Sequence, residues 1–318
     1  MNVKELRAEI IKKLSPSEEA ASDASVIITE ALNIDKTQLV IGDRSVSDEE
    51  CAKIRSYAER AANGEPVRYI VGECEFMSLK FKVKKGVLIP RADTEVLVET
   101  VIENLNESVK PLIYDLCCGS GCIGLSLAKY ISDASVVLAD ISPDAIETSR
   151  INAQRLGVND RVRIITLDVT KEVMPKEADC VVSNPPYIES DMISALDRKV
   201  RCFEPSLALD GGRDGLDFYR AIAKTAALKK GGLLAFEIGY NQGSAVSSLM
   251  QESGYRDVKV IKDIEDRDYR DMHREMSPLK QAEDAVLLDP SSMTLDQVVE
   301  EILKIVREKG YKAAGGCA

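Results

Sequence analysis

Tryptophan is absent from these 318 residues, and histidine occurs once, at His273, in a charged segment. A single histidine so placed leaves no Ser/His/Asp or Cys/His triad to build. No apolar run approaches the roughly 20 residues that span a bilayer, and Met1 is followed by polar and charged residues instead of a secretory leader. These absences predict a cytoplasmic chain with no membrane partner. Positive charge is in the minority: 42 Lys and Arg stand against 53 Asp and Glu, a net charge of −11. Proteins that hold nucleic acid through its phosphates need the opposite balance, so no direct nucleic-acid binding is expected beyond a local basic groove. A GxxxxGK[ST] loop is missing as well, which removes the phosphate cradle of a P-loop kinase.

What is present describes an ordinary globular chain, 45% apolar and 30% charged, long enough for two domains with a core each. Eight cysteines occur, at 51, 74, 117, 118, 122, 180, 202 and 317. In a reducing compartment they read as free thiols. Cys117, Cys118 and Cys122 cluster, but no second ligand pair at zinc spacing follows, so they are expected to pack behind a strand and no metal site is predicted.

The first ~75 residues read as helical. Val3, Leu6, Ile10, Ile11 and Leu14 recur at helical spacing, Val26, Ile27, Ala31 and Leu32 form a second apolar face, and Ser47 with Glu50 makes a capping-box signature before Cys51, Ile54, Ala58 and Ala61. Residues 76–91 alternate apolar and charged and predict a β-hairpin with Gly86 in its turn, linking this region to the next. From about residue 112 strands alternate with helices. The strand candidates are Leu112–Leu116, Ser135–Asp140, Val162–Asp168, Cys180–Ser183, Gly232–Gly239 and Val258–Asp263, and Ser142-Pro143 starts one of the helices between them. The pattern is that of an α/β fold with a doubly wound, mostly parallel sheet.

Ligands bind such sheets at the carboxyl ends of the strands. The first strand runs into Asp115-Leu116-Cys117-Cys118-Gly119-Ser120-Gly121, part of a GxGxxG match completed by Gly124, where glycines let the backbone turn and approach a ligand. Asp140 ends the next strand, about 20 residues further on, where a carboxylate can hold ribose hydroxyls. Asp168-Val169 ends the third, a position suited to lining an adenine ring. These features suit NAD and S-adenosylmethionine (AdoMet) almost equally. Asn184-Pro185-Pro186-Tyr187 at the end of the fourth strand decides between them. Its prolines stiffen the turn and remove two donors, leaving the Asn amide and nearby carbonyls as acceptors for a planar NH2 group, with Tyr187 offering a flat face. A dehydrogenase has no need of that set; a methyltransferase acting on a poorly nucleophilic nitrogen does.

With these motifs in place the chain resembles the bacterial release-factor glutamine N5-methyltransferases of the HemK/PrmC type. The matching segments are Gly64–Gly72, Glu75-Phe76, Val87–Glu95, the glycine loop at 115–121, Asn184–Ile188, and Phe203-Glu204-Pro205 before Ala208-Leu209, in order across roughly residues 1–263. The resemblance implies a helical substrate-binding domain over 1–75, the linking hairpin over 76–91 and an AdoMet-dependent class I methyltransferase domain over 92–263. It implies AdoMet as cofactor, held by Asp115, Cys117, Cys118, Gly119, Ser120, Gly121, Asp140, Asp168, Val169 and Asn184. Catalysis would fall to Asn184, Pro185, Pro186 and Tyr187, and the substrate would be the glutamine of the Gly-Gly-Gln tripeptide in peptide-chain release factors. Two other readings stand beside it: an N6-adenine DNA methyltransferase, since the same motif serves base amines in flipped nucleotides, and a chain that binds AdoMet or nucleotide without turnover.

The third reading arises from residues 264–318, which depart from that family. Asp268-Tyr269-Arg270-Asp271, Ser277–Lys280, Ala282–Ala285 and a capped apolar stripe of Leu295, Val298, Val299, Ile302 and Val306 resemble the C-terminal segment of bacterial cytidylate kinases. Lacking a phosphate loop, the segment reads as a remnant or fusion without kinase activity. Ala285–Leu288 is expected to replace the sheet's last strand, with the helix Thr294–Lys309 packed nearby.

Overall fold

The computed structural model describes residues 1–15, 17–105 and 110–261, and residues 1–261 form one compact unit. The expected tail features, including the strand at 285–288 and the helix at 294–309, lie outside the described residues.

The chain opens with helices α1 (Val3–Leu14), α2 (Ala20–Leu32), α3 (Lys36–Ile41), α4 (Asp48–Ala62) and α5 (Val67–Val71). Three of them start on reciprocal capping boxes, Asn2 with Glu5, Asp35 with Gln38 and Ser47 with Glu50, which satisfy donors a helix start leaves orphaned. Their apolar stripes meet in one core of Leu6, Ile10, Ala24, Ile27, Ile28, Ile54 and Ala58.

Strands β1 (Glu73–Phe76) and β2 (Leu79–Lys82) follow as an antiparallel hairpin. This hairpin lies earlier than the 76–91 expected, and its turn is Met77-Ser78, not Gly86. Both turn residues hold positive φ, 49° and 55°, a conformation that hairpin turns need and that Asn or Gly normally signals. Gly86 lies in the loop beyond, before α6 (Thr94–Asn104).

The large sheet comprises β3 (Leu112–Leu116), β4 (Ser135–Asp140), β5 (Val162–Thr166), β6 (Ala178–Ser183) and β7 (Leu228–Phe236), in spatial order β5-β4-β3-β6-β7 and all parallel. Helices α7 (Cys122–Tyr130), α8 (Pro143–Leu156), α9 (Arg198–Phe203), α10 (Asp217–Thr225) and α11 (Gly243–Glu252) complete the described α-helices. The sheet is buried on both faces, as parallel sheets are. Ile113, Val136, Leu138, Cys180 and Val182 pack toward Val98, Leu125 and Leu127, while Tyr114, Leu116, Val137, Ala139 and Val181 pack toward Ile222 and Phe218. The fold is thus α/β and doubly wound.

Several strand boundaries differ from expectation. β5 stops at Thr166, short of the expected Asp168, β6 starts at Ala178, ahead of Cys180, and β7 stops at Phe236, short of Gly239. β7 starts at Leu228, ahead of Gly232, because a register shift between Ala178 and Cys180 takes up the Lys229–Gly231 stretch, with Lys229 paired to Asp179. Residues 258–261, the described part of the expected Val258–Asp263 strand, are not a strand. No described strand lies beyond β7 for them to pair with.

Candidate active site

Strand order reverses between β3 and β6: β4 and β5 extend the sheet on one side, β7 on the other. Such a switch point leaves a crevice at the strands' carboxyl ends, and a cleft of about 250 Å³ opens there, lined by the loops after β3, β4, β5 and β6 and by residues 86–91.

The wall after β3 is built locally. Cys117, Gly119 and Gly121 all take positive φ, 57°, 56° and 78°, and fold the chain back into the start of α7. The Asp115 carboxylate accepts from the Gly124 N–H at 2.8 Å, pinning the first turn of that helix. Gly124 admits no side chain, since a Cβ would lie 2.4 Å from Leu138 and 2.9 Å from Asp115. Asp140 accepts from Gly119 N–H and Ser142 N–H, both at 2.9 Å. Asn152, fully buried, donates to Ser120 carbonyl at 2.9 Å and binds both backbone groups of Lys82, fastening the loop to β2.

Cys117, Cys118, Gly119, Ser120, Asp140, Asp168, Val169, Asn184 and Pro186 come together on the cleft surface. Asp115, Gly121, Pro185 and Tyr187 are not among the residues that line it. Burial raises the Asp115 carboxyl to about 7, with Asp140 adding to the effect. Burial also raises Asp140, against the backbone N–H groups it accepts from. Asp168 is held low by Lys171, 2.8 Å away. The thiols of Cys117, Cys118 and Cys122 are pushed up by burial, which keeps them as unreactive protonated groups.

The wall after β6 is built from distant parts of the chain. Asn184 donates through Nδ2 to Thr94 Oγ1 at 3.3 Å, and Thr94 donates to Glu237 Oε2 at 2.6 Å. Gln242 donates to the Tyr187 carbonyl at 2.9 Å while accepting from Gly239 N–H at 2.9 Å. The Tyr187 ring packs with the cluster around Tyr219, Val246 and Met250, and burial with the nearby Glu237 lifts its hydroxyl to about 12. Behind the turn, a Cβ on Gly211 would sit 2.7 Å from Tyr187 Cα and 2.8 Å from the Pro186 carbonyl. Across the cleft mouth Arg91 pairs with Glu204, whose side chain is 2% exposed. On the same side, Tyr69 of α5 donates to the Val87 carbonyl at 2.6 Å.

Sequence reasoning passed over Glu237, Gln242, Gly211, Asn152 and the specific part of Thr94. One signal was available: Glu237 directly follows β7, at the same edge of the sheet as Asp140 and Asn184.

The donor set suits AdoMet. A carboxylate at the end of β4, an apolar patch from Val87, Ile89, Leu167 and Phe218, and a buried Ser120 hydroxyl with no hydrogen-bond partner among the described residues all face or flank one cleft.

Residues 5–72 match the family described as PrmC N-terminal domain and residues 90–200 the methyltransferase small domain family. The release factor glutamine methyltransferase of Clostridium acetobutylicum is 40% identical over 264 residues, covering 81% of this chain and 93% of its own. That of Moorella thermoacetica is 39% identical over 274 residues, 84% and 96%. The chain belongs to the release factor glutamine methyltransferase family. As a member it is an AdoMet-dependent methyltransferase. The family's counterpart in Clostridium botulinum is 39% identical and spans 77% of this chain and 89% of its own length. Residues 248–308 match the cytidylate kinase family, so the foreign resemblance begins inside α11 and runs into the tail. A solved glycopeptide N-methyltransferase overlays 48% of this chain at 16% identity and a TM-score of 0.31, too slight a likeness to carry an argument. Among the described residues no helix is long and apolar enough to cross a membrane.

Proposed function

We propose that this methyltransferase acts on the side-chain amide nitrogen of the glutamine in the Gly-Gly-Gln tripeptide of release factors. The observation that carries the reading is the rigid turn after β6, with Asn184 on the surface of the same cleft as the glycine loop and Asp140. Asp140, Ser120 and the backbone at 117–119 are the groups we assign to the cofactor, with Asp168-Val169 at its adenine end. Bound there, AdoMet supplies a methyl group on a cationic sulfur.

An amide nitrogen is a poor nucleophile because its lone pair is delocalised into the carbonyl. Asn184 Oδ1 and the Pro185 carbonyl accept its two N–H bonds and turn the lone pair toward the methyl carbon; no donor among the described residues reaches that Pro185 carbonyl. Pro186 keeps the turn stiff, and Tyr187 backs the slot in which the flat amide lies. AdoMet held by the residues assigned to it would supply the methyl group to the nitrogen that Asn184 and Pro185 orient, its sulfonium leaving as the neutral thioether, and the amide proton would go to water. The rate gain then comes from positioning and fixed dipoles. We assign the helices α1–α5 to holding the body of the release factor. α9 follows this turn and is tied to the start of α2 by Lys199, 2.8 Å from the N-cap residue Glu19.

The test is methyl transfer from labelled AdoMet to a purified release factor, beside a variant with alanine for the Gly-Gly-Gln glutamine. Label on the intact factor alone is the expected outcome. Label on both factors, or on duplex DNA instead, would overturn the assignment.

A further inference from the structure

We propose that Glu237 and Thr94 are positioning residues that fix which end of the Asn184 side chain faces the substrate. The inference rests on the reading of Asn184 as the acceptor of the substrate amide.

An Asn amide has two chemically opposite ends of nearly equal shape, and only the oxygen end can receive an N–H. Rigid placement of the ring and backbone around position 184 does not choose between them. Hydrogen-bond accounting does. The Thr94 hydroxyl carries one proton, and it is spent on Glu237, the 2.6 Å bond in which a carboxylate can only accept. What remains on Thr94 Oγ1 is lone pairs, so its contact with Asn184 at 3.3 Å must come from the amide NH2. With the nitrogen so engaged, Oδ1 is left for the cleft. Burial raises the Glu237 carboxyl, and the hydrogen bonds from Thr94 and the Asn184 amide work against that rise by favouring the ionised, acceptor-only form.

The architecture holds this relay in place without help from the loop it serves. Glu237 N–H donates to the Ser183 carbonyl at 3.0 Å, one step past the Ser183–Phe236 pair of the ladder, which sets the carboxylate beside residue 184. Tyr219, fully buried, holds the Glu237 carbonyl at 2.9 Å. Thr94 is 2% exposed, in the first turn of α6. Replacing the carboxylate by an amide removes the acceptor-only partner that fixes the relay: with the NH2 end of a Gln turned to Thr94, the hydroxyl donates to Asn184 Oδ1 and the Asn side chain turns its NH2 to the substrate NH2. Two donors then face each other.

The experiment compares the full-length wild type with Glu237→Gln, Thr94→Val, Thr94→Ser and the double variant Glu237→Gln/Thr94→Val. It measures kcat and KM on a release factor, AdoMet Kd by calorimetry and thermal midpoint. Expected are falls in kcat of about 10- to 100-fold for Glu237→Gln and Thr94→Val, the scale of removing groups that orient a catalytic side chain, with AdoMet Kd within about threefold of wild type. Thr94→Ser, which restores the hydroxyl, recovers most of the rate lost in Thr94→Val. The double variant is no slower than the worse single one, because one relay is broken either way. A kcat within about twofold of wild type for either single change overturns the inference, as does a loss of AdoMet affinity and thermal midpoint that accounts for the loss of rate. A wild type that leaves the Gly-Gly-Gln glutamine unlabelled is a separate result: it removes the proposed substrate, and this inference with it.

Discussion

The two walls of the cleft are made in opposite ways. The wall after β3 is held mostly by the strand it leaves and the elements that come next: Asp115 holds Gly124, Asp140 at the end of β4 holds Gly119, and Asn152 of α8 ties Ser120 to β2. The turn after β6 is held from far along the chain, by Thr94, Gly211, Glu237 and Gln242. Binding a cofactor asks mainly for a shaped backbone, which a short loop can provide. Orienting a reacting amide asks for a particular donor and acceptor in a particular place, and that takes side chains brought in by other elements.

The comparison breaks most visibly at Asn184. Asn184→Ala removes the acceptor itself and should lower kcat by about 10²- to 10³-fold, the loss seen when one preorganised polar group is deleted, while calorimetry finds a much smaller loss of AdoMet affinity. A matched pair of glycine changes sharpens the contrast. Gly211→Ala and Gly124→Ala each overpack a tight contact, at a cost of about 1–3 kcal/mol in denaturant unfolding. Gly211→Ala should lose turnover with AdoMet affinity preserved, and Gly124→Ala should lose AdoMet affinity. Equal effects on both quantities in both variants would mean that the walls do not act separately.

Asp115 allows a pH test of the wall after β3. Its carboxyl sits at about 7 in the fold against an ordinary 3.8, so the fold favours its protonated form. That favour is fully present below the ordinary value and is lost as pH rises through about 7. Wild type should therefore lose stability relative to Asp115→Asn between pH 4 and 8, read as the difference in thermal midpoints. The smallest effect belongs to a site remote from both walls: Ser47→Ala removes the cap of α4 and should cost about 1 kcal/mol of stability with kcat unchanged.

The same contrast explains how much was readable in the amino-acid sequence. β3 and β4 match their expected bounds residue for residue, because short apolar runs flanked by turn residues announce buried parallel strands. The glycine loop, Asp140 and Asn184 were legible because each follows its strand directly. Glu237 was read as the interior of a strand, and nothing in the sequence couples it to Thr94, far up the chain on another element. The hairpin turn escaped for a different reason. Met77 and Ser78 adopt a backbone that their side chains do not advertise, and the nearby Gly86 took their place in the reading. Arg91 was seen only as the end of the expected hairpin and part of a matching segment; its buried partner Glu204 follows a helix that is short and carries no buried residue.

Phe236 and Ser183 form the last rung of a ladder that, among the described residues, is bonded on one side only. Side chains alternate along a strand, so a slip of β7 by one residue would carry Glu237 to the opposite face of the sheet. The orientation of the reacting group is therefore a matter of strand registration. Fraying at this one margin would silence the chemistry while the cofactor wall, three strands of it continuous, stayed whole.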